Sequence, residues 1–185
     1  MNSQKSRVLM SIGFALILSR CGGGAVDSGS DSGSGVARPT TCSVTLSGAV
    51  SGTFECQQAT AVFSPEHNVT ALWMGYANMA APAGGLLWVQ FSFEIAGRPQ
   101  TTTYTPATAR MGTASVSVNG AQEPTFYDAS TGQSTGSSLR MAITGLDPWP
   151  TSPQDAFDMH GTADATIPYR SGPGARGNIT LHATF

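Results

Sequence analysis

One pattern constrains this chain more than any other: apolar and polar residues alternate with a period of two, over and over, and no stretch after the first twenty residues carries a helical period. Leu87, Val89, Phe91, Phe93 and Ile95 alternate with Trp88, Gln90, Ser92 and Glu94. Phe157, Met159, Gly161, Ala163, Ala165 and Ile167 alternate with Asp158, His160, Thr162, Asp164 and Thr166. Leu139, Met141 and Ile143 do the same, as do Ile179, Leu181, Ala183 and Phe185. Successive side chains of a strand point to opposite faces, so each run predicts a strand with one buried and one wetted side. Val69–Tyr76 and Met111–Val118 read as strands with looser patterning. One apolar face and one Thr-rich face are the mark of antiparallel sheet. The expected fold is all-β, an antiparallel β-sandwich with barrel-like closure as a variant, and no substantial helix beyond the N-terminal segment.

The stretch CSVTLSGAVSGTFEC places Cys42, Val44, Leu46, Val50, Phe54 and Cys56 on one parity. As a single straight strand it would hold the two sulfurs tens of Å apart, at about 3.3 Å per residue. A disulfide needs Cα atoms within about 7 Å. A hairpin turning near Gly48–Ser51 reconciles the two, and Cys42 and Cys56 are expected to be bonded. The last two strands flank the turn-rich PYRSGPGARG. Pairing them sets Ile167 opposite Ile179, Ala165 opposite Leu181, Ala163 opposite Ala183, and Asp164 opposite His182.

The N-terminus is of another kind. Lys5 and Arg7 precede an apolar run, Val8 to Leu18, of export-signal length. It is too short for a transmembrane helix, which needs about 20 residues. Leu18 and Ser19 precede Cys21 as in a bacterial lipobox, whose Cys is diacylated and becomes the first mature residue. Arg20 departs from the small residue usual before that Cys; cleavage after Ala25 and no cleavage are the rivals. Gly22–Gly35 is nearly all Gly, Ser, Asp and Ala. Such a segment buries too little apolar area to offset its ordering entropy and reads as a flexible tether. The organisation expected is therefore a signal peptide over 1–20, a lipidated Cys21 with its tether over 21–39, and a single antiparallel domain over 40–185. With Cys42 and Cys56 paired, Cys21 is the odd cysteine, which lipidation explains.

CSVTLSGAVSGTFEC near the start and HGTADATIP with GNITLHATF at the end resemble uncharacterised Gly/Ser-rich envelope lipoproteins of Gram-negative, myxobacterial-type bacteria. The resemblance covers both ends of the mature domain. It implies a fold and an exported location, at the outer membrane or cell surface, with periplasm or secretion as alternatives. It implies no activity.

Chemistry is sparse. Charged residues make up only 11% of the chain, and Lys5 is its only lysine. There is no basic stripe, so nucleic acid is not an expected partner. Ser134 in GQSTG matches the G-x-S-x-G spacing, but the motif needs a strand before it and a helix after it, and here it lies in a Ser/Thr/Gly loop. His67, His160 and His182 share no metal-ligand spacing, and no metal or cofactor is expected. The loop GLDPWPTSPQDAFD offers Asp147, Trp149 and Asp155 as a candidate binding loop for a protein or glycan, with Trp149 as end cover of the sandwich the plainer reading. Trp73 and Trp88 read as packing residues. The function expected is that of a lipid-anchored envelope β-sandwich with a structural or binding role and no catalytic residues. The alternatives are a secreted hydrolase, requiring Ser134, a histidine and an acid in one cleft, and a small outer-membrane barrel, requiring apolar outward faces.

Overall fold

The computed structural model describes residues 42–56, 58–78, 86–119, 123–132, 136–149 and 155–185. The signal, Cys21, the tether and Ser134 lie outside them. Twelve antiparallel strands account for most of the described chain: β1 (Cys42–Gly48), β2 (Gly52–Cys56), β3 (Gln58–Ser64), β4 (Val69–Asn78), β5 (Leu86–Ala96), β6 (Thr103–Tyr104), β7 (Met111–Asn119), β8 (Pro124–Ser130), β9 (Ser138–Pro148), β10 (Asp155–Ile167), β11 (Tyr169–Ser171) and β12 (Ile179–Thr184).

The strands branch at β10. Along one edge β10 pairs with β9 over nearly its whole length. Along the other it changes partner halfway. Asp155–Asp158 pair with β3, and Thr162–Ile167 pair with β12. One arm then runs β3-β4-β5-β7-β8-β11 and the other β12-β1-β2, while β6 adds to β9. The arms turn toward each other: β2 meets β4, and β7 and β8 meet β10. Phe54 of β2 and Tyr76 of β4 stack across the gap with ring centroids 5.0 Å apart. The result is sandwich-like. The sheet is open, ending at β2 and β11, so barrel closure does not occur.

The inward rows of both arms make one core. Val44, Leu72, Val89, Phe91, Met141 and Leu181 are all fully buried in it. Burying side chains of this size contributes about 1.5–3 kcal/mol each. On β10, Met159, Ala163, Ala165 and Ile167 point inward, and Asp158, His160, Thr162, Asp164 and Thr166 point away. That is the reverse of a lipid-facing strand, whose outward residues are apolar.

The partner switch sits at Gly161. Its N–H donates to the carbonyl of Phe185 at 2.6 Å, and Phe185 N–H returns a bond to the Gly161 carbonyl at 3.0 Å. At the same level β9 carries a bulge: His160 opposes Gly145 while Gly161 opposes Ile143, leaving Thr144 extra. A bulge adds one residue and shifts the parity beyond it. Leu139, Met141 and Ile143 therefore point inward before it, and Leu146 does so after it.

Both expected hairpins form. Cys42 stands directly opposite Cys56, with Cα atoms 4.9 Å apart and the sulfurs within bonding distance. Ile167, Ala165, Asp164 and Ala163 oppose Ile179, Leu181, His182 and Ala183, the register set by the hydrophobic pattern. The connection between β10 and β12 holds more than a turn. After Pro168 the chain crosses to the other arm, where β11 pairs with β8. The following loop is fastened there: Gly174 N–H donates to Thr125 Oγ1 at 2.9 Å, and the Tyr127 hydroxyl donates to the Ala175 carbonyl at 2.7 Å.

Candidate functional site

Two outer sheet faces carry the polar chemistry. On the β2-β1-β12-β10-β9 face, antiparallel register lines up Thr53, Thr45, His182, Asp164 and Arg140 in one row across five strands. Asp164 is the hub. Its Oδ1 lies 2.7 Å from His182 Nδ1, and its Oδ2 accepts from Arg140 Nη1 at 3.3 Å. Thr45 and Thr53 bond each other at 3.2 Å. The second histidine is held separately: His160 Nε2 lies 2.7 Å from Asp147 Oδ2. The bulge at Thr144 makes that pair, because it turns Asp147 onto the face that His160 occupies. Both pairs stand largely in solvent, where such interactions contribute about 0–1 kcal/mol.

The candidate loop residues do not converge. Asp147 is engaged by His160. Asp155 lies on the opposite parity of β10, where it accepts from Arg98 Nη2 at 2.6 Å, and that guanidinium also lies over the Phe63 ring. Trp149 donates its backbone N–H to the Ala156 carbonyl at 2.9 Å and keeps 38% of its surface exposed. Residues 150–154 between them are outside the described set. Ser134, the serine that the hydrolase alternative requires, is outside it too. Among the described residues no group of three or more His, Cys, Asp or Glu side chains is placed to hold a metal ion.

The outer face of β4-β5-β7-β8 is where the sequence reading needs correction. Trp88 is not a packing residue: it stands on the solvent side with 37% of its surface exposed. Register puts it in one row with Ser117 of β7 and Phe126 of β8, the latter 42% exposed. The next row is Gly75, Gln90, Ser115 and Asp128. The Trp73 indole fills the space above Gly75, where an added Cβ would meet its ring at 2.2 Å. Trp73 thus packs as expected, onto the sheet's outer side. Phe126 was missed because β8 begins at a proline and its run, PTFYDAS, does not announce a strand. Among the described residues, two carboxylates of this face are engaged, Asp128 by Arg170 at 2.6 Å and Glu94 by Arg110 at 4.0 Å.

The shifted titrations are structural. Burial of the Tyr127 hydroxyl, with Tyr169 beside it, raises its pKa above the usual phenol value. Burial also raises Tyr104, opposed by its hydrogen bond with the Gln100 backbone. Both hydroxyls are occupied in fastening loops.

Fold and surface together define an antiparallel sandwich-like domain with two patterned outer faces. Compared with protein families, curated proteins and solved structures, the chain matches none of them.

Proposed function

We propose that this protein is a lipid-anchored component of the bacterial cell envelope, a β-sandwich held off the membrane by residues 22–39 and acting by binding rather than by catalysis. The observation that carries the reading is the Cys42–Cys56 pair at the entrance to the domain. A cross-strand disulfide fits an oxidising, extracytoplasmic compartment. It leaves Cys21, at the end of the apolar N-terminal run, as the thiol available for acylation. The binding role is supported by the form of the surface. The described histidines on the sheet faces are each paired with a carboxylate in the open, whereas the exposed aromatics Trp88 and Phe126 stand on a broad sheet braced by the core beneath.

Anchoring is tested by fractionating cells that produce the full chain. The wild type is expected in the membrane pellet and to partition into detergent, and Cys21→Ser is expected in the soluble fraction. Equal partition of the two forms would remove the anchor.

A further inference from the structure

We infer that Asn68, at the tip of the β3-β4 hairpin, is the attachment site of an N-linked oligosaccharide. The inference rests on the exported location proposed above and is independent of Cys21. The residues that carry it are Glu66, His67, Asn68, Val69 and Thr70. Asn-x-Thr, with x other than Pro, is the acceptor pattern for transfer of a glycan to the side-chain amide. Bacterial transfer also reads a carboxylate two residues before the Asn, a charge that a cation of the enzyme can grip. Glu66 supplies that carboxylate. The chain's other Asn-x-Thr, Asn178-Ile179-Thr180, has Arg176 in its place.

The fold gives the Asn68 amide no other work. Pro65, Glu66, His67 and Asn68 are all exposed. The Asn68 N–H donates to the Pro65 carbonyl at 3.3 Å, and the Asn68 carbonyl accepts from Gly97 N–H at 2.9 Å. Its φ of +50° is left-handed, alone among the described non-glycine residues. The backbone thus calls for a residue that tolerates this conformation, which glycine does at least as well. It does not call for the carboxamide, which has no hydrogen-bond partner among the described residues. Thr70 sets the order of events. It is fully buried, and its hydroxyl donates to the Gly97 carbonyl at 2.6 Å. The acceptor hydroxyl is therefore within an enzyme's reach only before β4 pairs, while the chain is emerging from export. The amide nitrogen then attacks C1 of a sugar carried on a polyprenyl pyrophosphate. The N–C1 bond forms, the bond from C1 to the pyrophosphate oxygen breaks, the amide gives up one proton, and polyprenyl pyrophosphate leaves with the electron pair. Asn68 keeps its place at the hairpin tip, with the glycan directed into solvent.

The test is the intact mass of the full chain made in its native host, for the wild type, Asn68→Gln, Asn68→Gly and Asn178→Gln. Glycine keeps the left-handed turn, so Asn68→Gly removes the amide without straining the hairpin. The wild type is expected to exceed the mass of its polypeptide and acyl groups by a whole number of sugar residues. That excess is expected to be lost in Asn68→Gln and Asn68→Gly and kept in Asn178→Gln. No excess in the wild type, or an excess that both Asn68 variants retain, overturns the inference. So does an excess lost only in Asn178→Gln. Acylation is read from the same spectra: an acylated chain without sugar removes the glycan alone, and a sugar-bearing chain without acyl groups supports the glycan and removes the anchor alone.

Discussion

Replacing Gly161 by alanine is expected to destabilise the domain by about 3–5 kcal/mol, the sum of a backbone conformation foreign to L-residues and an overpacked contact. Gly161 has φ of +156°, and an added Cβ would sit 2.0 Å from the Ala142 carbonyl oxygen, 3.0 Å from its carbon and 3.1 Å from Ile143 Cα. All three obstacles are backbone atoms of β9, so no rotamer change relieves them. The strand cannot move away, because Gly161 also exchanges two hydrogen bonds with Phe185 at the point where β10 changes partner. Gly97→Ala is the control: Gly97 has φ of +77° but nothing within 4 Å of an added Cβ. It carries the conformational cost alone, about 1 kcal/mol. Urea unfolding of both variants checks the difference. Equal midpoints would mean that the β10 junction is looser than its geometry.

Cutting the disulfide is the second large effect. Cys42 and Cys56 are 14 residues apart in sequence, and closing a loop of that size is worth about 3 kcal/mol. For a domain of this size that corresponds to a fall of about 6–12 °C in Tm. The double variant Cys42→Ala/Cys56→Ala is nevertheless expected to fold. β1 keeps its six-residue pairing with β12, and Val44 and Leu46 remain in the core. The result to look for in thermal unfolding is a lower Tm in the variant, reproduced in the wild type by reductant. A wild-type Tm indifferent to reductant would show that the bond does not contribute to stability.

The parts of this fold legible in the sequence are those governed by local alternation. β5, β10 and β12 alternate strictly, and a one-residue slip between β10 and β12 would turn Ile167 and Ile179 out of the core, so their register followed from pattern alone. β3 escaped because Thr60 and Val62 blur the alternation of Ala59, Ala61 and Phe63. The change of partner at Gly161 escaped for a deeper reason: it depends on β3 and β12, more than a hundred residues apart in the chain, both seeking the same edge. The site divided along the same line. The Asp164–His182 pair was readable because it follows from register. The Asp147–His160 pair required the bulge at Thr144, which no residue type marks. The parity of Trp88 was readable, but its exposure was not. That depends on the small neighbour Ser117 on a flanking strand and on the unforeseen strand that carries Phe126.

The central claim, an acylated envelope protein with an oxidised β-domain, is tested most directly by the intact mass of the protein taken from native membranes, with and without reduction. The account predicts a chain beginning at Cys21, heavier than its sequence by acyl groups, that gains the mass of two hydrogen atoms on reduction. An unacylated chain beginning at Val26 and recovered from the soluble fraction would contradict it.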